Sequence, residues 1–428
     1  MKTSKLYTVL ILFSAVAGMV CCTNDQTPMN SKADKTAKEI LGNPDYQAIS
    51  YSGYRELTRD VEGQPTIAEL KEDMKLLSAM GIRIVRTYNV YLEAVPNLLK
   101  AIRDLKNEDP QFEMYVMMGA WIDAKYARTD SVDHSRGSSR NAREIERAAN
   151  LANTYPDIVK IIAVGNEAMV HWQANYYVEP AIILKWVEHL QELKNSGELP
   201  ADLWITSSDN FASWGGGSSD YHNDDLDKLI KAVDYISMHT YPMHDTHYNP
   251  DFWGVWESEQ GLTKREKIEA AMQRSLNYAT SQYQSVIDYM KSLDVDKPVH
   301  IGETGWATVS NGFYGDGDSR AADEFKMARY HDLIRQWADA NKVSVFYFEA
   351  FDEQWKDAAN PEGSENHFGL INLQSQAKYA LWDRVDAGVF EGLSRDGKPI
   401  TKTYGGNIDS LLQEVMVPPM HQKLKVTN

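Results

Sequence analysis

Cysteine is almost missing from this 428-residue chain: Cys21 and Cys22 are the only two. A disulfide framework is therefore excluded for everything after them, and stability has to come from the size of an apolar core. Basic charge is short as well. Against 61 Asp and Glu stand 44 Lys and Arg, a formal net charge of −17. That balance argues against a nucleic-acid partner, because phosphate binding needs a basic surface, and it is compatible with a neutral ligand. What is plentiful is aromatic: 11 Trp, 23 Tyr and 11 Phe.

Residues 1–22 read as a targeting signal. Lys2 and Lys5 supply the positive start, and the apolar stretch Leu6 to Val20 is too short for a comfortable membrane span. Ala15-Val16-Ala17 offers a cleavage site for ordinary secretion. The alternative, which the sequence favours, is a bacterial lipoprotein signal with Cys22 or Cys21 as the acylated residue, although the residue before it is a Val or a Cys and not the usual small one. A polar linker is expected over 23–45, a single catalytic domain over 46–395 and an extension packed on its outside over 396–428. The expected location is the bacterial cell envelope, as an outer-membrane lipoprotein, or otherwise secreted or periplasmic. The membrane would then be a partner through the lipid anchor.

From Tyr46 onward, apolar runs alternate with segments of helical period. The runs are Ala48–Tyr54, Ile82–Tyr88, Phe112–Ala120, Ile161–Gly165, Leu203–Ser207, Tyr235–His239, Val299–Gly302 and Val343–Phe348. Eight strand–helix units point to an α/β fold of the closed parallel (β/α)8 TIM barrel type, whose strands are buried on both faces. A doubly wound open sheet is the competing architecture, but no G-x-G-x-x-G follows the first run. The domain is longer than the ~250 residues of a typical barrel, so the loops carry insertions.

In such a barrel, chemistry sits at the C-terminal ends of the strands. Polar residues collect there: Arg55, Arg86 to Asn89, Asn166-Glu167, Asp209-Asn210, His239 to Tyr241, Glu303, and the group Glu349, Asp352, Glu353 and Lys356. Glu167 and Glu303 stand out, each after an apolar run and each near a Trp. Hydrolysis of an acetal uses two carboxyls, one donating a proton to the leaving oxygen and one stabilising or attacking the anomeric carbon. Either glutamate alone would read as a solvated or salt-bridged rim residue; the pair across one barrel mouth reads as chemistry.

The segments ISYSGYRE, IRIVRTYNVY, VGNEAMVHW, ISMHTYP, IGETGWATVSNG and FEAFDEQWKDAANPEGSENHFGL resemble successive motifs of glycoside hydrolase family 17, the β-1,3-glucanases, in its bacterial and fungal branch. The resemblance spans nearly all of Tyr46 to Lys378. It implies a (β/α)8 barrel and retaining hydrolysis of β-1,3-glucan, with Glu167 as acid/base and Glu303 as nucleophile. Thr304 departs mildly from the motif but leaves Glu303 and Trp306 in place. Asn166 is then expected to hold the sugar's 2-hydroxyl, Tyr241 to hydrogen-bond Glu303, and Glu349, Glu353 and Lys356 to support the nucleophile or bind hydroxyls. A salt-bridge network at the rim is the plainer reading of those last three.

Sugar rings pack their C–H faces on aromatic rings. Tyr88, Trp121, Trp172, Trp214, Trp253, Trp256, Trp306 and Trp355 all lie in or just after strand ends, and Trp306 and Trp355 are the expected platforms. Together with Arg55 these complete the expected substrate-binding set. His239, His244 and His247 with Asp245 invite a metal reading, which loose loop spacing disfavours, so no metal or cofactor is expected. WGGGSSD, Trp214 to Asp220, lacks the Lys and helix of a phosphate loop and reads as a flexible loop over the site. DHSRGSSRNAREIER reads as a polar turn entering a helix. The leading function is hydrolysis of laminarin-type β-1,3-glucan by a monomer. A glucanosyltransferase of the same fold and a non-catalytic glycan-binding surface lipoprotein are the alternatives.

Overall fold

The computed structural model describes residues 34–421; the leader, Cys21 and Cys22 and the start of the expected linker lie outside them. Eight strands form the central sheet: β1 (Gln47–Ser50), β2 (Ile82–Arg86), β3 (Tyr115–Ala120), β4 (Val159–Asn166), β5 (Trp204–Asn210), β6 (Ile236–His239), β7 (Val299–Gly305) and β8 (Val345–Phe348). Each pairs in parallel with its sequence neighbours, and β1 pairs with both β2 and β8, so the sheet closes. This is the (β/α)8 barrel the alternation implies. The longer helices between strands are α1 (Ile67–Ala79), α2 (Ala94–Glu108), α3 (Asn141–Thr154), α4 (Pro180–Ser196), α5 (Asp224–Ala232), α6 (Lys264–Ser292) and α7 (Glu324–Asn341).

Local sequence explains several boundaries. Thr66 and Glu69 form a capping box that starts α1, as Thr263 and Glu266 do for α6. Helix α4 opens on Pro180 and stops at Gly197 in the left-handed region. Strand β4 is buried at every residue but its last, because helices cover its outer face and side chains fill the barrel within.

The linker expectation needs correction. Residues Ala37–Ile40 form one helical turn that closes the bottom of the barrel. Ala37, Ile40 and Leu41 pack there on inward side chains of the strands, among them Ile84, Met117, Ile161 and Phe346. Gly42 N donates to Ser344 Oγ just before β8 begins. Three apolar residues in a polar segment thus belong to the core. Ile40 is fully buried, so Ile40→Ala should cost about 2–5 kcal/mol, read as a lower denaturant midpoint at unchanged slope.

The tail beyond residue 396 packs against the barrel's outside, with Leu411 and Val415 buried and Thr401–Lys402 paired to Gln376–Ala377. The glycine-rich segment is not a flexible loop over the mouth. Trp214 is fully buried and donates through Nε1 to the Ser237 carbonyl at 3.0 Å. A Cβ on Gly215 would meet the Tyr289 ring of α6 at 2.1 Å, so glycine there permits close helix packing. Where a polar turn is expected, Asp133–Gly137 form a short strand paired with Ala124–Lys125, and the turn is confined to the residues just before α3.

Candidate active site

Gly165 takes a φ of +82°, and a Cβ there would meet Ala168 Cβ at 3.0 Å and Ile183 Cδ1 at 3.1 Å. Its lack of a side chain lets β4 end in a sharp turn. Two residues on, Glu167 also sits in the left-handed region, at φ +42°, a conformation that costs a non-glycine residue on the order of 1–3 kcal/mol. Neighbouring strand β5 holds the turn: Glu167 N donates to the Ser208 carbonyl at 3.0 Å and Met169 N to Asp209 Oδ2 at 2.8 Å.

Across the mouth, Glu303 on β7 is almost wholly enclosed, its side chain 7% exposed against 24% for Glu167. An oxygen of each glutamate and a ring nitrogen of His239 all lie within 4.8 Å of one another. Arg86, fully buried on β2, donates to Glu303 Oε1, to the Gly302 carbonyl at 3.0 Å and to Asn166 Oδ1. Tyr241 Oη donates to Glu303 Oε2 at 2.7 Å. Burial alone would raise the Glu303 carboxyl, but His239, Arg86 and these hydrogen bonds outweigh it and hold the group well below the usual carboxylate range. Glu303 therefore stays ionised although it is nearly enclosed.

His239, fully buried, places Nδ1 3.1 Å from Glu167 Oε1 and 3.7 Å from Glu303 Oε2. On its other side, His239 Nε2 hydrogen-bonds the Ser208 hydroxyl at 2.8 Å, which in turn bonds that of Ser237. Glu167, His239 and Glu303 are of metal-ligating type. Both Glu303 oxygens, however, already accept from Arg86 and Tyr241, and the guanidinium supplies the positive charge a cation would bring. His244 and His247 do not join them: the first stacks on Tyr241 and the second pairs with Asp318.

The mouth opens into a cleft of about 1010 Å³ lined by Asn166, Glu167, Glu303, Tyr88, Tyr241 and Lys356, at the upper end for small-molecule sites. Because Arg86 occupies the Asn166 oxygen, that side chain has its NH2 donors left for a ligand. Trp355 lies in the wall with Arg59 stacked 3.8 Å over its ring and Tyr54 edge-on to it. Trp121 and Trp172 form the wall on the β3–β4 side.

Four expected substrate contacts, Trp306, Arg55, Glu349 and Glu353, fall outside the cleft lining. Trp306 is fully buried between Trp253 and Tyr330, with Nε1 donating to the Ala321 carbonyl at 2.8 Å, so it is core and not a platform. Arg55 turns away to Asp73, Glu72 and Asp396, tying β1 to α1 and the C-terminal extension. Glu349 is buried behind Lys356 and pairs with it, while Glu353 accepts from Tyr54 N and Trp355 Nε1. These two brace the wall, and Lys356 alone of the three reaches the cleft. Trp214 and Trp253 are core and Trp256 packs on Arg274, away from the cleft.

Arg86, His239 and Asp209 stand among the strand-end polar residues of the sequence, where nothing assigns them a role. Asp209 is fully buried with no cation beside it, and burial pushes its carboxyl up to about 7 against the hydrogen bond from Met169 N.

One ionised and one partly open carboxyl facing each other in an aromatic-walled barrel mouth is the arrangement that glycoside hydrolysis uses. The chain belongs to the BtgE/BtgC glycoside hydrolase domain family, whose profile matches residues 48–369. It is 61% identical to an endo-laminarinase from Formosa Hel1_33_131, at a TM-score of 0.90 over 92% of this chain and all of that one. A probable glucan endo-1,3-beta-glucosidase of Aspergillus flavus is 22% identical over 82% of this chain, and the match spans 46% of that protein; a glucan 1,3-beta-glucosidase of Schizosaccharomyces pombe is matched over 58% of its length. The chain thus spans about half the length of the curated relatives it matches. A Rhizomucor miehei beta-1,3-glucanosyltransferase bound to laminaritriose shares the fold, at a TM-score of 0.54 and 20% identity over 78% of this chain and 96% of that one.

Proposed function

We propose that this protein cleaves internal bonds of laminarin-type β-1,3-glucan with retention of anomeric configuration, as a member of glycoside hydrolase family 17. The observation that carries the reading is the approach of Glu167 and Glu303 oxygens to within 4.8 Å. Retaining enzymes hold their carboxyls about 5–5.5 Å apart, whereas inverting ones leave room for a water between them. Glu303, held ionised, attacks the anomeric carbon while Glu167 passes its proton to the leaving glucosyl oxygen. A glycosyl–enzyme ester results, and Glu167 then takes a proton from the water that hydrolyses it. The Asn166 NH2 donates to the 2-hydroxyl, a contact that tightens as charge develops on the ring. Action within a chain fits a cleft with aromatic walls on both sides, Trp355 at one and Trp121 and Trp172 at the other.

Incubation with long laminarin and with β-1,3-gluco-oligosaccharides, resolving products by size, tests this. Wild type should give a spread of shorter oligosaccharides from the long chain. Products longer than the starting oligosaccharide would assign the glycosyl–enzyme to transfer onto a sugar acceptor. If wild type and Glu303→Ala bind the glucan equally and neither changes it, the protein is a binder and the catalytic reading is wrong.

A further inference from the structure

Asp209 is a buried carboxylate for which the proposed reaction has no use. It sits on β5 with no exposed surface, is not itself part of the cleft lining and makes no ion pair among the described residues. Its two oxygens are both taken by backbone donors, Met169 N and Asn210 N, each at 2.8 Å. A buried carboxyl without a cation is costly unless its position repays it. The position is informative: Met169 lies two residues after Glu167, in the turn that carries Glu167 in its left-handed conformation. Other backbone ties on that turn are Glu167 N to the Ser208 carbonyl, Val178 N to the Ala168 carbonyl at 2.7 Å and Gln173 N to the Val170 carbonyl at 3.0 Å.

We infer that Asp209 is a positioning residue for the acid/base: by gripping Met169 N it fixes the Glu167 turn, and so the reach of the Glu167 carboxyl toward the leaving oxygen. The inference rests on the catalytic reading of Glu167. Its chemistry predicts a particular defect. Without Asp209 the Glu167 carboxyl drifts, and a displacement of about 1 Å costs on the order of 10²-fold in rate. The loss falls only where proton donation is needed, because Glu303, Arg86 and Tyr241 hang on other strands. Asn in place of Asp sets one acceptor and one NH2 against two backbone N–H groups, so the two-point hold is broken at nearly constant volume.

The test compares two substrates, β-1,3-gluco-oligosaccharide, whose sugar leaving group needs a proton, and dinitrophenyl β-laminaribioside, whose phenol leaves without one. For Asp209→Asn, kcat/KM on the oligosaccharide should fall on the order of 10²-fold, while kcat/KM on the aryl glycoside stays within about threefold of wild type. Azide should raise kcat on the aryl glycoside, as it does when the base is misplaced. Glu167→Ala serves as reference. If it lacks this leaving-group pattern, the assignment of Glu167 itself fails. If Glu167→Ala shows the pattern and Asp209→Asn loses both substrates equally, Asp209 is merely structural and the inference is overturned. Asp209→Ser, which keeps one acceptor, decides the matter should the Asn variant not fold; failure of both to fold also overturns it.

Discussion

Glu303→Ala is expected to lower kcat/KM on β-1,3-glucan by on the order of 10⁴- to 10⁶-fold, with glucan binding retained and the fold intact. The size follows from what the side chain does. In the proposed reaction it supplies the bond-forming electron pair, and the two acidic residues at the end of β8 are engaged elsewhere: Glu349 with Lys356, and Glu353 with Tyr54 and Trp355. Removing it leaves the buried Arg86 without its anion, so the melting temperature should fall by the equivalent of about 3–5 kcal/mol. Azide should restore turnover of an activated aryl glycoside with inverted product, because the small anion fits the vacated volume and attacks from the same face. Loss of activity without such rescue, or activity within tenfold of wild type, would remove Glu303 from the nucleophile's role.

Arg86→Met carries the second large effect, and it should be seen in both stability and pH dependence. The guanidinium is buried against the enclosed Glu303, with Asn166 and the Gly302 carbonyl completing its contacts. Breaking a buried pair from one side typically costs about 3–5 kcal/mol, since the remaining charge stays uncompensated. In the wild type the depressed Glu303 carboxyl contributes stability that is present above the ordinary glutamate value of ~4.3 and is lost as pH falls through its lowered folded value. Without Arg86 burial dominates and the group moves up. That contribution then disappears or reverses, and the acid limb of kcat/KM shifts to higher pH. Denaturant melts at two pH values and a pH–rate profile check both halves. An unshifted acid limb would show that Tyr241 and His239 suffice to hold Glu303 ionised.

The barrel could be read from sequence because its signal is local. Each strand is a short apolar run that ends in polar residues, and Asn166-Glu167 and Glu303 stand directly after two of them. Platforms and bracing residues could not be sorted the same way. Trp306 and Trp355 both follow a strand-end glutamate, and only packing against Trp253 and Tyr330 makes the first a core residue. Arg55 and Arg59 lie four residues apart in one loop; the first is drawn off by Asp73 on α1, and the second reaches the cleft over Trp355. Arg86 and Asp209 gain their meaning from partners 217 and 40 positions away, which no periodicity reveals. The turn at Ala37–Ile40 is too short to show a helical stripe.

That short turn also fixes which way the molecule faces. The chain comes in at residue 34 beneath the strands' starting ends, beside Tyr115 and Ser344, and the cleft opens at the far pole. An attachment made through the N-terminal segment would thus hold the molecule by its base, like a cup on its stem. A polysaccharide could be drawn across the rim from any side without meeting the stem, and its two new ends would leave into open solvent.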